Sequence, residues 1–357
     1  MEYWGFSLCP GANEGSHPKA IRRLLQRVQV ADDAGLDGWF FAEHHSDPQY
    51  SLTASPNLLV AAASQTTRRM RLGNMVTVLP YHHPFRAAEE IRLLDAMTNG
   101  RIEMGFGRGG FPHEQAAFGL ERGEVPDMFE TALELVLQFL TEEHVDYQTK
   151  WWRGRAATLV PGPTQSPHPP LWQSVVSDAS LGRAARLGMH CNTSFAYPEL
   201  LEYRMRLYSD AWDEHQPGMP TGKFGVLVQV VVADGEDEAL HSAKQALEQR
   251  FERLVQGFGS PRATGPDPGF ESRHRIYRHV STLSFQELIE ESLIVFGSVD
   301  QCVEQLDRLR LAGVDVITAW LHFDGLDSDF TDRSLRLLCD EVIPRVERRG
   351  AFALAGG

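Results

Sequence analysis

An α/β fold, a (β/α)8 TIM barrel, is predicted by three observations. Short apolar strands alternate with amphipathic helices nearly to the end of the 357 residues. The strands that can be placed fill the eight positions of a closed parallel barrel. No stretch between them has the composition of an interdomain linker. A doubly wound open sheet buries its strands on both faces too, so periodicity alone does not separate the two, and the strand count favours the barrel. Residues 1–357 are therefore expected to form a single domain. Two insertions, about 141–165 and 256–292, follow the fourth and the seventh strand.

The elements run as follows. Tyr3–Leu8 reads as the first strand, and the helix after it carries Ile21, Leu24, Leu25 and Val28 on one face, ending near Ala34–Gly35. Trp39–Ala42 is the second strand, and Ser55–Pro56 opens the next helix with a cap and a first-turn proline. Leu72–Leu79 and Arg101–Gly107 are the third and fourth strands, separated by a helix over Arg86–Met97. After a helix at Met128–Leu140, Tyr147–Gly154 reads as a surface hairpin. The alternation resumes with strands at Leu171–Val176, Cys191–Phe195, Phe224–Val232 and Val316–His322. The Gly- and Pro-rich 257–270 is loop chemistry.

Composition narrows the class. An apolar content of 42% with 23% charged residues suits a soluble globular protein. A formal net charge of −14 argues against a nucleic-acid partner, since the phosphate backbone would be repelled. No apolar run approaches the roughly 20 residues of a membrane helix. Met1–Glu2–Tyr3–Trp4 shows no basic region followed by an apolar core, so no signal peptide is expected. Cys9, Cys191, Cys302 and Cys339 are too dispersed for a zinc site or a disulfide framework, and the expected setting is the reducing cytoplasm.

Four stretches carry candidate chemistry. The apolar strand Gly38–Trp39–Phe40–Phe41–Ala42 runs directly into Glu43–His44–His45. The C-terminal ends of barrel strands form the floor of the active site. Strand alternation puts His44 on the face of Phe40 and Ala42, and Glu43 and His45 on the other, so the two histidines do not share a metal. His44 is the first candidate for chemistry, although both imidazoles could equally be hydrogen-bonded structural groups. In Arg101–Gly110, Gly105, Gly107 and Gly110 match GxGxxG in form, but Phe111–Pro112–His113 reads as a loop instead of the helix a dinucleotide site requires. The alternation turns Gly105 and Gly107 toward the cavity, leaving room for a flat ligand, and Arg108 at the strand end can fork onto a phosphate or lie solvated. Ser174–Ser180 ends a strand at a helix start, where free N–H groups bind anions and Ser177 and Ser180 can add hydroxyls or simply cap the helix. Met75–Pro84 is an apolar strand followed by a loop with His82 and His83.

In this order, Ala42–Glu43–His44–His45, Leu79–Pro80 with His83–Pro84, Gly105–Phe106–Gly107–Arg108–Gly109, the connection Leu93–Arg101 and the Ser177 helix start resemble the bacterial luciferase-like flavin monooxygenases. The similarity is densest over 1–125 and continues to about 345. It implies a homodimeric barrel that uses reduced FMN and O2, through a flavin C4a-peroxide, to oxygenate a small organic substrate. A separate flavin reductase is the implied partner. Carried over by position, His44 with Glu43 becomes the catalytic pair, and Arg108, Ser177 and Ser180 the phosphate clamp. Met75–Val76 becomes a cis peptide against the flavin ring, with Gly107 and Val176 beside it. Where bacterial luciferase has a reactive cysteine, an acidic residue and a tryptophan, this chain has Gly107, Val176 and Phe195, which points away from light emission on a long-chain aldehyde. Phe111, Phe195, Trp320 and Phe323 lie near strand ends, and the first three are expected in the substrate pocket. Arg273, Arg275 and Arg278 fall where the family has a mobile lid. Hydride transfer from the deazaflavin F420 on the same fold, and flavin binding without catalysis, are the alternatives. A metal-dependent hydrolase would need more His and Asp at strand ends.

Overall fold

The computed structural model describes residues 1–194, 197–258, 275–276 and 278–355. Eight parallel strands close into a barrel: β1 (Glu2–Ser7), β2 (Gly38–Phe41), β3 (Arg71–Val78), β4 (Ile102–Gly107), β7 (Leu171–Ser174), β8 (His190–Ser194), β9 (Phe224–Ala233) and β11 (Val316–His322). Pairing of β8 with β9 closes the ring. Between them run α1 (His17–Asp33), α2 (Pro56–Ser64), α3 (Pro84–Met97), α4 (Pro112–Ala117), α5 (Val125–Thr141), α6 (Asp178–Arg186), α7 (Pro198–His215) and α8 (Glu236–Phe258). Further helices at Phe285–Glu290, Val299–Leu311, Ser328–Leu337 and Ile343–Ala355 complete the outer layer. The antiparallel hairpin of β5 (Val145–Gln148) and β6 (Arg153–Ala157) follows α5, where a surface hairpin was expected.

Two elements differ from the sequence reading. β10 (Ile294–Ser298) is a further parallel strand, paired with Gln229–Ala233, the C-terminal half of β9, which overlaps the pairing with β11 only at Gln229. The segment Phe111–Pro112–His113, read as loop, instead opens α4, with Pro112 at the first turn where its missing N–H costs nothing. Most of the Gly- and Pro-rich 257–270 lies outside the described residues.

Strand alternation sorts the core into two layers. Tyr3, Trp39, Phe41, Leu72, Ile102, Met104 and Phe106 pack outward against the helices. Trp4, Phe6, Phe40, Met75, Trp172 and Trp320 fill the barrel interior. Trp4 stacks on Phe40 at 4.3 Å, and Phe40 meets Trp172 edge-on at 5.8 Å. These rings plug the lower barrel, leaving the C-terminal end open. Glu103 of β4 sits among them, nearly fully buried, held by Arg71 and by the indole N–H of Trp172. Burial pushes its carboxyl up, against the pull of Arg71.

Candidate active site

The C-terminal strand ends surround a cavity of about 410 Å³, within the ~300–1,000 Å³ typical of small-molecule sites. Glu43, His44, Met75, Val76, Gly107, Arg108, Phe111, Val176, Ser177, Ser180 and Trp320 all line it. The remaining expected pocket residue, Phe195, lies outside the described residues. Arg273 does too, and neither Arg275 nor Arg278 is among the described residues that line the cavity.

His44 continues the inward face of β2. Its Nδ1 lies 3.0 Å from Glu114 Oε1, and the same oxygen accepts the backbone N–H of His45 at 2.8 Å. A carboxylate only accepts, so Nδ1 carries the proton and a neutral His44 keeps the lone pair on Nε2. The imidazole stands edge-on to Tyr50 at 4.9 Å and to Phe111 at 5.2 Å. Glu114 is 1% exposed and was missed by sequence reasoning. The only signal for it was a carboxylate close behind the glycine-rich turn, in a segment taken for loop.

Glu43 ties neighbouring strand ends together. Its Oε2 accepts the backbone N–H of Val78 at 2.7 Å, while Oε1 lies 2.8 Å from His82 Nε2 and 3.1 Å from His45 Nε2. Burial pushes the Glu43 carboxyl up, but bonds from His45, His82 and the Val78 N–H outweigh it and leave it below its ordinary value. Burial pulls His82 down, yet Glu43 more than compensates and its imidazole ends up raised. His45 leans instead on the stacked rings of Tyr81 and Phe118.

The peptide Met75–Val76 is cis, and the β3–β4 register shifts between Asn74 and Thr77. This changes the reading of the β4 glycines. A Cβ on Gly107 would lie 2.5 Å from Val76 Cγ2, and one on Gly105 would lie 2.4 Å from the Asn74 carbonyl. The glycines make room for the bulged neighbouring strand first. Gly107 then reaches the cavity edge beside Val76.

A cationic wall stands at β4 and β7. Arg108 follows β4, and the start of α6 contributes Val176, Ser177, Ala179 and Ser180. Ser177 and Ser180 form a reciprocal capping box: Ser180 Oγ donates to the Ser177 carbonyl at 2.6 Å and accepts from the N–H groups of Val176 and Ser177 at 3.1 and 3.0 Å. Their hydroxyls are therefore cap groups, as ordinary N-capping would have it, and they hold the helix start against the cavity. Arg183, one turn further, lines the same wall and pairs with Glu130. Burial pulls its guanidinium down, Glu130 pulls it back in part, and Arg108 adds like-charge repulsion; both arginines line the cavity. Arg183 was also missed, because a basic pair on an amphipathic helix reads as a solvated face.

The Arg108 and Arg183 guanidiniums beside the start of α6 form a donor set suited to a phosphate, and Met75, Val76 and Val78 give the same cavity apolar lining. This arrangement fits a phosphorylated planar cofactor. Among the described residues no group of His, Cys, Asp and Glu could hold a metal, and no helix is long and apolar enough to cross a membrane.

Comparison with known proteins identifies the family and the fold. The family model described as luciferase-like monooxygenase matches residues 1–316. The 4-hydroxyprotoasukamycin monooxygenase of Streptomyces nodosus subsp. asukaensis is 28% identical, over 91% of this chain and 87% of that protein. The oxygenase component of the flavin-dependent trigonelline monooxygenase of Acinetobacter baylyi is 22% identical, over 92% of each. Among solved structures, the oxygenating constituent of 3,6-diketocamphane monooxygenase from Pseudomonas putida, in complex with FMN, superposes with a TM-score of 0.81 at 20% identity, covering 97% of this chain and 99% of that one. An F420-dependent secondary alcohol dehydrogenase superposes at 0.74 with 17% identity, covering 97% and 99%. At these identities the structures speak for the fold alone. The family match spans most of the sequence, and the chain belongs to the luciferase-like monooxygenase family.

Proposed function

We propose that the protein is an oxygenase that binds reduced FMN and uses O2 to oxygenate a small organic substrate. The observation that carries this reading is the meeting, in one cavity, of a His44–Glu114 couple and two arginines beside a helix start. Arg108, Arg183 and the backbone N–H groups opening α6 would hold the flavin phosphate. Met75, Val76 and Gly107 would line the ring system. The bound flavin supplies the electrons and the activation of O2.

The chain's own groups supply positioning and proton movement. Glu114 fixes the His44 tautomer, so that Nε2 can take a proton from substrate and return it. Glu43 lines the cavity, but both of its oxygens are already bonded within the protein. It holds His45, His82 and the Val78 backbone, and so sets the ends of β2 and β3 around His44. Phe111 and Trp320 give the substrate an apolar wall that keeps water from the reacting atoms.

The partner would be a separate flavin reductase. The relative named as an oxygenase component supports this. Exposed Leu58 on α2, with Leu93 and Met97 on α3, supports a homodimer through those helices. Four unpaired buried cysteines are in keeping with a reducing, cytoplasmic setting.

The F420 reading is favoured only by the shared fold. Anaerobic titration with reduced FMN and with reduced F420 separates the two. The expected result is FMN binding that weakens in Arg108→Gln and Arg183→Gln. Tight F420 binding with no affinity for FMN contradicts the proposal.

A further inference from the structure

We propose that the substrate of this enzyme is an organic anion, a carboxylate or a closely similar oxyanion, and that Arg250 is the residue that receives it. The inference deepens the oxygenase reading and rests on it for which end of the cavity the flavin fills.

Arg250 comes from α8 and lines the cavity, yet only 3% of it is exposed. Its guanidinium carbon lies 3.5 Å from the ring centroid of Trp320 and 5.6 Å from that of Tyr50. A guanidinium held over an indole loses little further freedom on binding, and its N–H edges can fork onto two oxygens of one anion. Asp324 Oδ1 stands 3.7 Å from Nη1 but is not among the described residues that line the cavity. Asp324 pairs with the cation, and of the two only Arg250 is among the described residues that line the cavity.

Barrel topology separates this cation from the cofactor's. In the closed ring, β11, which carries Trp320, lies diametrically opposite β4, which leads to Arg108. One cavity thus has cationic groups on two opposed walls. Arg108 and Arg183 stand on one, beside a helix start. Arg250 stands on the other, among Phe6, Leu8, Tyr50 and Trp320. One phosphorylated cofactor accounts for the first wall only. Burying an arginine in an aromatic recess is costly compared with an apolar residue of similar size, so its use is best read from what it can bind. The ring of Tyr50 touches both His44 and Arg250, so a molecule anchored on Arg250 would pass beside the His44 imidazole.

The test measures matched acid and amide pairs by calorimetry on the FMN-loaded protein: phenylacetate with phenylacetamide, 3-phenylpropionate with 3-phenylpropionamide, and hexanoate with hexanamide. Acid binding tighter than amide by about tenfold or more in at least one pair is expected. That preference should vanish in Arg250→Gln and return in part in Arg250→Lys; Arg108→Gln, expected to bind FMN more weakly, is compared with wild type in the flavin-free protein and should keep the preference. Equal binding of acid and amide in every pair overturns the proposal. So does a preference that survives in Arg250→Gln. If Arg250→Gln does not fold, the wild-type comparison and Arg250→Lys still decide. FMN affinity is read separately by flavin fluorescence. Its absence would remove the oxygenase reading, while an acid preference in the flavin-free protein that depends on Arg250 and not on Arg108 would leave the anion site standing.

Discussion

His44 and Glu114 divide the work of one proton position. The carboxylate takes the Nδ1 proton, and the opposite nitrogen is left to act in the cavity. His44→Ala should lower turnover by roughly 10²–10⁴, the usual range for a lost acid–base group, with FMN affinity unchanged. Glu114→Gln should lower turnover by a smaller factor, because an amide can either accept from or donate to Nδ1 and no longer fixes the tautomer. Steady-state kinetics with a parallel flavin titration checks both. Equal turnover in wild type and His44→Ala would remove His44 from the chemistry. The sequence already placed His44 on the inward face, since alternation from Phe40 is a local rule. It could not place Glu114, whose contact spans 70 positions and depends on the turn of chain between β4 and α4.

At the scale of elements, the ends of β2, β3 and β4 are fitted to one another. Gly107→Ala puts a Cβ into Val76, an overpacking that should cost about 1–3 kcal/mol and weaken FMN binding. Urea unfolding measures the first and fluorescence titration the second. Adding Val76→Ala should recover part of the loss, and strictly additive effects would mean the two residues do not share that space. Glu43 links the same strands and predicts a pH dependence. The His82 value is raised in the fold, so its contribution is complete below its ordinary 6.5 and is lost as pH climbs through the higher folded value. The Glu43 value is lowered, so its contribution is complete above its ordinary 4.5 and is lost as pH falls through the lower folded value. The stability gap between wild type and Glu43→Gln should therefore be widest from 4.5 to 6.5 and narrow on both sides. A gap that is flat with pH, measured by urea midpoints, would contradict the network.

Across the whole molecule, the barrel was legible because its buried parallel strands are near-continuous apolar runs and its helices show one apolar face. Strand ends shifted by only a residue or two in most cases. β10 escaped notice because Ile294–Ser298 is a five-residue run that pairs with only half of β9. The alternation predicts both β4 glycines facing the cavity; only Gly107 is among its described lining residues, and the space at both is taken first by the neighbouring strand, where no single-strand pattern could show it. Arg183 and Arg250 sit on helices, and only closure of the ring brings them to the cavity. A molecule with a formal charge of −14 thus gathers cationic groups on two opposed walls of one recess.

Rapid mixing of the anaerobic protein–reduced FMN complex with oxygenated buffer tests the central claim most directly. The account predicts a transient absorbing species, distinct from reduced and oxidised FMN and absent from free flavin, that decays faster or fails to form in His44→Ala. Reoxidation in a single step at the rate of free reduced FMN, alike in wild type and variant, would contradict it.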